Sequence, residues 1–136
     1  MYFLGIDLGS SSVKVSVFDA QAQVSIGSVT APESEMGMTA EQPGWAEQSP
    51  ELWWEYVKRA IGKLKDEQQI DLSKIVSIGI AYQMHGLVLT DEYLHSVRPA
   101  IIWCDSRAAP IGDKAFSEIG PSKCCLLYTS PSPRDS

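Results

Sequence analysis

At 136 residues the chain suits one domain with a sizeable core and is too short for two. A hydrophobic content of 44% and a charged content of 21% describe an ordinary soluble globular protein. The net charge of −6 argues against nucleic acid or an anionic membrane as a general partner, yet leaves room for an anion in one local pocket.

Residues 2–19 set the organisation. The apolar run Tyr2–Ile6 leads to Asp7, Gly9 and the three hydroxyls of Ser10, Ser11 and Ser12, and Val13, Val15 and Val17 then alternate with Lys14 and Ser16. This pattern predicts a β-hairpin with a Gly-Ser turn. Such a turn lets backbone and hydroxyl groups crowd around an anion, Lys14 adds a positive charge, and Asp7 offers a carboxylate for Mg²⁺. Ordinary turn chemistry explains the same residues equally well, and spacing does not choose between the two. It is not a P-loop, because the turn leads into a strand instead of a helix.

Val24–Thr30 alternates again as a third antiparallel strand, and residues 31–48 read as an extended surface connection in which Trp45 is a packing plug. Ser49-Pro50-Glu51 marks a helix start with serine as its cap, and Leu52, Trp53, Tyr56, Val57, Ala60, Ile61 and Leu64 keep helical spacing to about Gln68. Ile75–Ala81 reads as a strand buried on both faces and, arriving after a helix, parallel to the first strand. A hairpin of Leu87–Thr90 with Val97–Trp103 and a helix from Ser106 through Ile119 follow. The order is β-β-β-α-β-(ββ)-α. Cys124–Ser136 carries Ser-Pro-Ser-Pro and resembles translated sequencing-adapter DNA, so residues 124–136 are expected to be disordered and non-native. The cysteines, Cys104, Cys124 and Cys125, fit neither a disulfide framework nor a zinc pattern. With no secretory leader and no long apolar run, the expected location is cytoplasmic.

Two polar clusters stand out, the first at the edge where ligands bind in open α/β sheets. Gln83-Met84-His85-Gly86 follows the buried-strand pattern and offers directional hydrogen bonds to hydroxyls. Trp103-Cys104-Asp105-Ser106-Arg107 pairs an indole, suited to the apolar face of a polyol, with a carboxylate for its hydroxyls. From the residues alone, a plain Asp105–Arg107 surface pair is the favoured reading of this second cluster.

Gly5–Lys14 resembles the first phosphate motif of the actin, Hsp70 and sugar-kinase superfamily. Together with Trp45–Trp54, Gly79–Gly86 and Arg98–Arg107 it resembles the N-terminal domain of the FGGY carbohydrate kinases, most closely the xylulokinase branch. The resemblance implies an RNase H-like mixed sheet, β-β-β-α-β-α, with residues 1–123 forming an incomplete domain. It implies ATP and Mg²⁺ as cofactors and phosphorylation of a ketopentose such as D-xylulose to its 5-phosphate. Gluconate, ribulose or a deoxy-sugar are the alternative substrates, and a non-catalytic nucleotide-binding module is the alternative class. Asp7 is implied at the metal, Ser10, Ser11, Ser12 and Lys14 at the nucleotide, and Gln83, Met84, His85, Trp103 and Asp105 at the sugar. Cys104 departs from the asparagine frequent there. The resemblance also implies that the catalytic base and the adenosine motifs lie beyond this chain and that the fragment is inactive alone, and it leaves room for a homodimer of the full-length enzyme. Small-molecule sugar and ATP are the partners, with no nucleic acid and no membrane.

Overall fold

Val13, Val15 and Val17 alternate with Lys14, Ser16 and Phe18, and that period of two decides which face of the sheet is dry. In the computed structural model, which describes residues 1–128, all three valines are fully buried beside Leu4 and Ile6. They lie on strands β1 (Tyr2–Leu8) and β2 (Val13–Asp19), which form an antiparallel hairpin extended by β3 (Val24–Ala31). Helix α1 (Pro50–Asp66) lays Val57, Ala60 and Leu64 over β2 and β3 and closes the core. Each buried valine contributes about 1.5–3 kcal/mol relative to an exposed one.

The chain then returns through β5 (Ile75–Tyr82), which runs parallel to β1 and completes a mixed sheet of order β3-β2-β1-β5. The fold is thus α/β with a mixed sheet, as expected. The burial of β5 is not. Val76, Ile78 and Ile80 are 59%, 57% and 64% exposed, because β5 is an edge strand and no described element lies over it. An apolar run establishes strand preference, whereas what covers the strand depends on where the helix packs.

Residues 31–48 are more than a surface connection. Met36 is buried and its amide donates to the Ser11 carbonyl at 2.8 Å. The segment ends in a two-residue strand, β4 (Glu47–Gln48), paired antiparallel with β6 (Ala100–Ile101). That pairing takes over the second half of the expected hairpin, leaving only the bridges Leu87–Ile101 and Thr90–Ser96 between its halves. Ser49 stands at the cap position of α1, but its hydroxyl donates to Glu51 at 2.6 Å instead of capping a backbone amide. Helix α2 (Ala109–Ile119) starts later than Ser106, whose hydroxyl is spent on the Gly44 carbonyl at 3.1 Å. Helix α3 (Pro121–Tyr128) follows Gly120 directly, with proline at its start. Most of the tail expected to be disordered, residues 129–136, lies outside the described residues.

Candidate active site

The β1–β2 turn is drawn tight by the Gly9 amide, which donates to the Ser12 carbonyl at 3.0 Å. A Cβ on Gly9 would stand 3.2 Å from that same oxygen, so glycine permits the close approach. The register sets Asp7 directly across from Lys14, on the face opposite the core. Both line an open hollow with Gly5, Ser16, Gly79 and Ala81. A carboxylate, a cation and a serine turn therefore meet at one end of the sheet. Among the described residues no group of three or more His, Cys, Asp or Glu side chains gathers around a metal. Asp7 alone suits Mg²⁺, which commonly takes one or two protein carboxylates plus substrate phosphates and water.

The strand beside the turn delivers the second cluster. The Gln83 amide donates to the Leu8 carbonyl at 3.0 Å, fastening the end of β5 to the residue after Asp7. Gln83, Met84, His85 and Gly86 line a cleft of about 400 Å³ with Leu8, Trp53, Ile80, Tyr82 and Val88. Both polar atoms of the Gln83 side chain are buried without a hydrogen-bond partner. A buried amide left unpaired costs about 1–3 kcal/mol, a debt that a hydroxylated ligand can cancel. His85 has φ of 64°, a left-handed conformation that a non-glycine residue adopts rarely and that clusters at binding sites.

The third cluster is organised differently from what its sequence suggests. Trp103 is exposed and lines neither the hollow nor the cleft. The Asp105 side chain is 2% exposed, and its oxygens are occupied by the Ala46 amide at 2.6 Å, the Arg107 amide at 2.8 Å and the Arg107 guanidinium at 2.7 Å. Hydrogen bonds from Arg107 hold the Asp105 carboxyl well below the usual carboxylate range, and the same bonds raise Arg107. Asp105 thereby ties the Ala46 backbone to Arg107. Arg107 also pairs with the buried Glu47 at 2.7 Å and stacks 3.8 Å from the ring centre of Trp45. Arg98 completes the pairing of Glu47. Trp45 is thus the plug it was expected to be, clamped under a guanidinium.

Residues 2–124 match the model of the FGGY family of carbohydrate kinases, N-terminal domain. The chain belongs to the FGGY family of carbohydrate kinases. The xylulose kinase of Escherichia coli strain K12 is 40% identical over 107 residues, 79% of this chain and 21% of that protein. A structure described as a xyloylose kinase from Brucella ovis superposes with a TM-score of 0.74 at 36% identity, over 88% of this chain and 25% of the other. A gluconate kinase from Lactobacillus acidophilus gives a TM-score of 0.75 at 27% identity, over 86% of this chain and 22% of its own. The FGGY chain therefore spans about a fifth of the curated relatives it matches.

Among these residues of the FGGY chain, sequence reasoning assigned no part to Glu47, Gln48, Trp53 and Arg98. The available signal was an acid and an amide side by side at the end of an otherwise irregular segment, immediately before a Ser-Pro helix start.

Proposed function

We propose that this chain supplies the phosphate turn and the sugar-recognition loop of an ATP-dependent kinase acting on a ketopentose such as D-xylulose. The observation that carries the reading is the unpaired, buried Gln83 amide in the cleft shared with His85, one hydrogen bond away from the residue that follows Asp7. Gln83 and His85 orient the sugar hydroxyls, and Trp53 and Met84 offer apolar surface to its carbons. Ser10, Ser11 and Ser12 face the nucleotide phosphates, with Lys14 drawing the anion in. Asp7 would hold Mg²⁺, which would supply charge neutralisation for the transferring phosphoryl group. The relatives described as xylulose kinases favour a pentulose, and the gluconate kinase neighbour makes an aldonate the second reading.

No aspartate or glutamate is among the residues lining the cleft. We accordingly expect the 136-residue chain to bind without turning over. The test is a calorimetric panel of D-xylulose, D-ribulose, gluconate and glycerol, with ADP release measured in parallel. Saturable binding of D-xylulose in preference to the others, without ADP release, is the expected result. Preference for gluconate selects the second reading, and sustained sugar-dependent ADP release overturns the assignment of binding without catalysis.

A further inference from the structure

Adjacent residues of a strand point to opposite sides, so the two residues of β4 serve two different neighbours. Glu47 turns toward Arg98 and Arg107 in the 98–107 cluster. Gln48 turns the other way, is 5% exposed, and has partners for both its amide nitrogen and its oxygen. Its Nε2 donates to the Ser10 carbonyl at 2.7 Å and to the Gly37 carbonyl at 3.3 Å, while its Oε1 accepts from the Trp53 indole at 3.1 Å. An indole N–H is only a donor, so Trp53 fixes which end of the amide faces the turn. The neighbouring Ser11 carbonyl is held separately by the Met36 amide. The turn is thus gripped by its carbonyls from behind, and Trp53 also forms a wall of the Gln83–His85 cleft.

We propose that Gln48, oriented by Trp53, is a positioning residue for the Ser10–Ser12 turn and couples the cleft wall to it. The ligand side of this proposal rests on the reading of the turn as a phosphate site. The geometric side does not. Gln48 lines neither the hollow nor the cleft; it sets where the Ser10 backbone stands, and a shift of that backbone moves all three hydroxyls together. A group packing against Trp53 in the cleft presses on the residue that orients Gln48, which gives the sugar and phosphate positions a direct material link.

The test uses the 136-residue chain labelled with ¹⁵N and two variants. Gln48→Met keeps bulk and burial while removing all three hydrogen bonds; Trp53→Phe keeps packing and removes only the orienting N–H. Amide exchange is followed at Gly9 and Met36, which bond to Ser12 and Ser11, against Val15 in the core. Mg·ADP affinity is read from the Ser10–Ser12 amide shifts. Expected for Gln48→Met is at least about tenfold faster exchange at Gly9 and Met36 with Val15 unchanged, and about tenfold weaker Mg·ADP binding, the effect of one lost anchoring hydrogen bond. Trp53→Phe should move both readouts the same way by a smaller factor. Unchanged exchange at Gly9 and Met36 in Gln48→Met overturns the proposal. If Val15 also loses protection in that variant, Trp53→Phe decides: unchanged turn exchange there overturns the proposal and selective acceleration supports it. If the unsubstituted chain shows no Mg·ADP shifts, the phosphate reading falls and the exchange data alone judge the clamp.

Discussion

Replacing Gly44 with alanine probes the joint that fastens the 31–48 segment to the 98–107 cluster. Gly44 has φ of 81°, and a Cβ built there would stand 2.4 Å from the Ser106 hydroxyl oxygen. The Ser106 amide donates to the Gly44 carbonyl at 2.8 Å and its hydroxyl to the same oxygen at 3.1 Å, so neither residue moves independently. The left-handed backbone costs an L-residue about 1–2 kcal/mol. Evicting the hydroxyl from its acceptor costs about 1 kcal/mol more. Gly44→Ala should therefore destabilise by about 2–3 kcal/mol. Ser106→Ala alone should cost about 1 kcal/mol. The double variant should cost no more than Gly44→Ala, because the hydroxyl is gone before the methyl arrives and the Ser106 Cβ lies an ordinary 3.8 Å from it. Urea unfolding followed by far-UV dichroism and tryptophan fluorescence supplies the double-mutant cycle, with an expected coupling of about 1 kcal/mol. A Gly44→Ala cost under about 0.5 kcal/mol, or fully additive single costs, refutes this reasoning.

Three further expectations follow from the same geometry. Leu64→Ala, in the fully buried core under α1, should cost about 2–5 kcal/mol by urea denaturation, and a cost below about 1 kcal/mol contradicts the packing of α1 on β2 and β3. Ile78→Lys on the open face of β5 should change stability by no more than about 0.5 kcal/mol, whereas a loss of several kcal/mol restores the strand buried on both faces. The Glu51 carboxyl, accepting hydrogen bonds from the Ser49 and Ser96 hydroxyls, is lowered from 4.5 to about 2. Its contribution to stability is thus in place above pH 4.5 and is lost as the pH falls through about 2. Carbon-13 NMR of the side chain should show a midpoint near 2, and one near 4.5 contradicts the two hydroxyl contacts.

The first hairpin, its third strand, α1 and the parallel return of β5 were legible because each rests on local periodicity or on the handed geometry of a crossover. The Val13–Val17 alternation specifies a face without reference to anything distant. The openness of β5 was not legible, since the apolar content of Ile75–Tyr82 is the same whether or not a helix covers it. Turn residues Asp7 to Lys14 and the loop Gln83–Gly86 stand close to where the sequence put them, because both follow directly from strand ends. The burial and bonding of Asp105 were not legible for the opposite reason. Its partners are the Ala46 amide, 59 residues away in sequence, and an arginine whose alternative role as a surface pair spacing did not resolve. Glu47 and Gln48 sit in a strand of two residues, too short for any period to announce it.

The central claim is that the serine turn and the Gln83–Gly86 loop hold two ligands side by side. Paramagnetic broadening by Mn·ADP, with Mn²⁺ in place of Mg²⁺, measures that adjacency on the ¹⁵N-labelled chain in the presence of D-xylulose. Strong broadening of the Gly9–Ser12 and Gln83–Gly86 amides and of the bound sugar, with Lys63–Gln68 at the far end of α1 left sharp, is the predicted result. Broadening confined to other surfaces, or a sugar signal untouched while the turn is broadened, contradicts it.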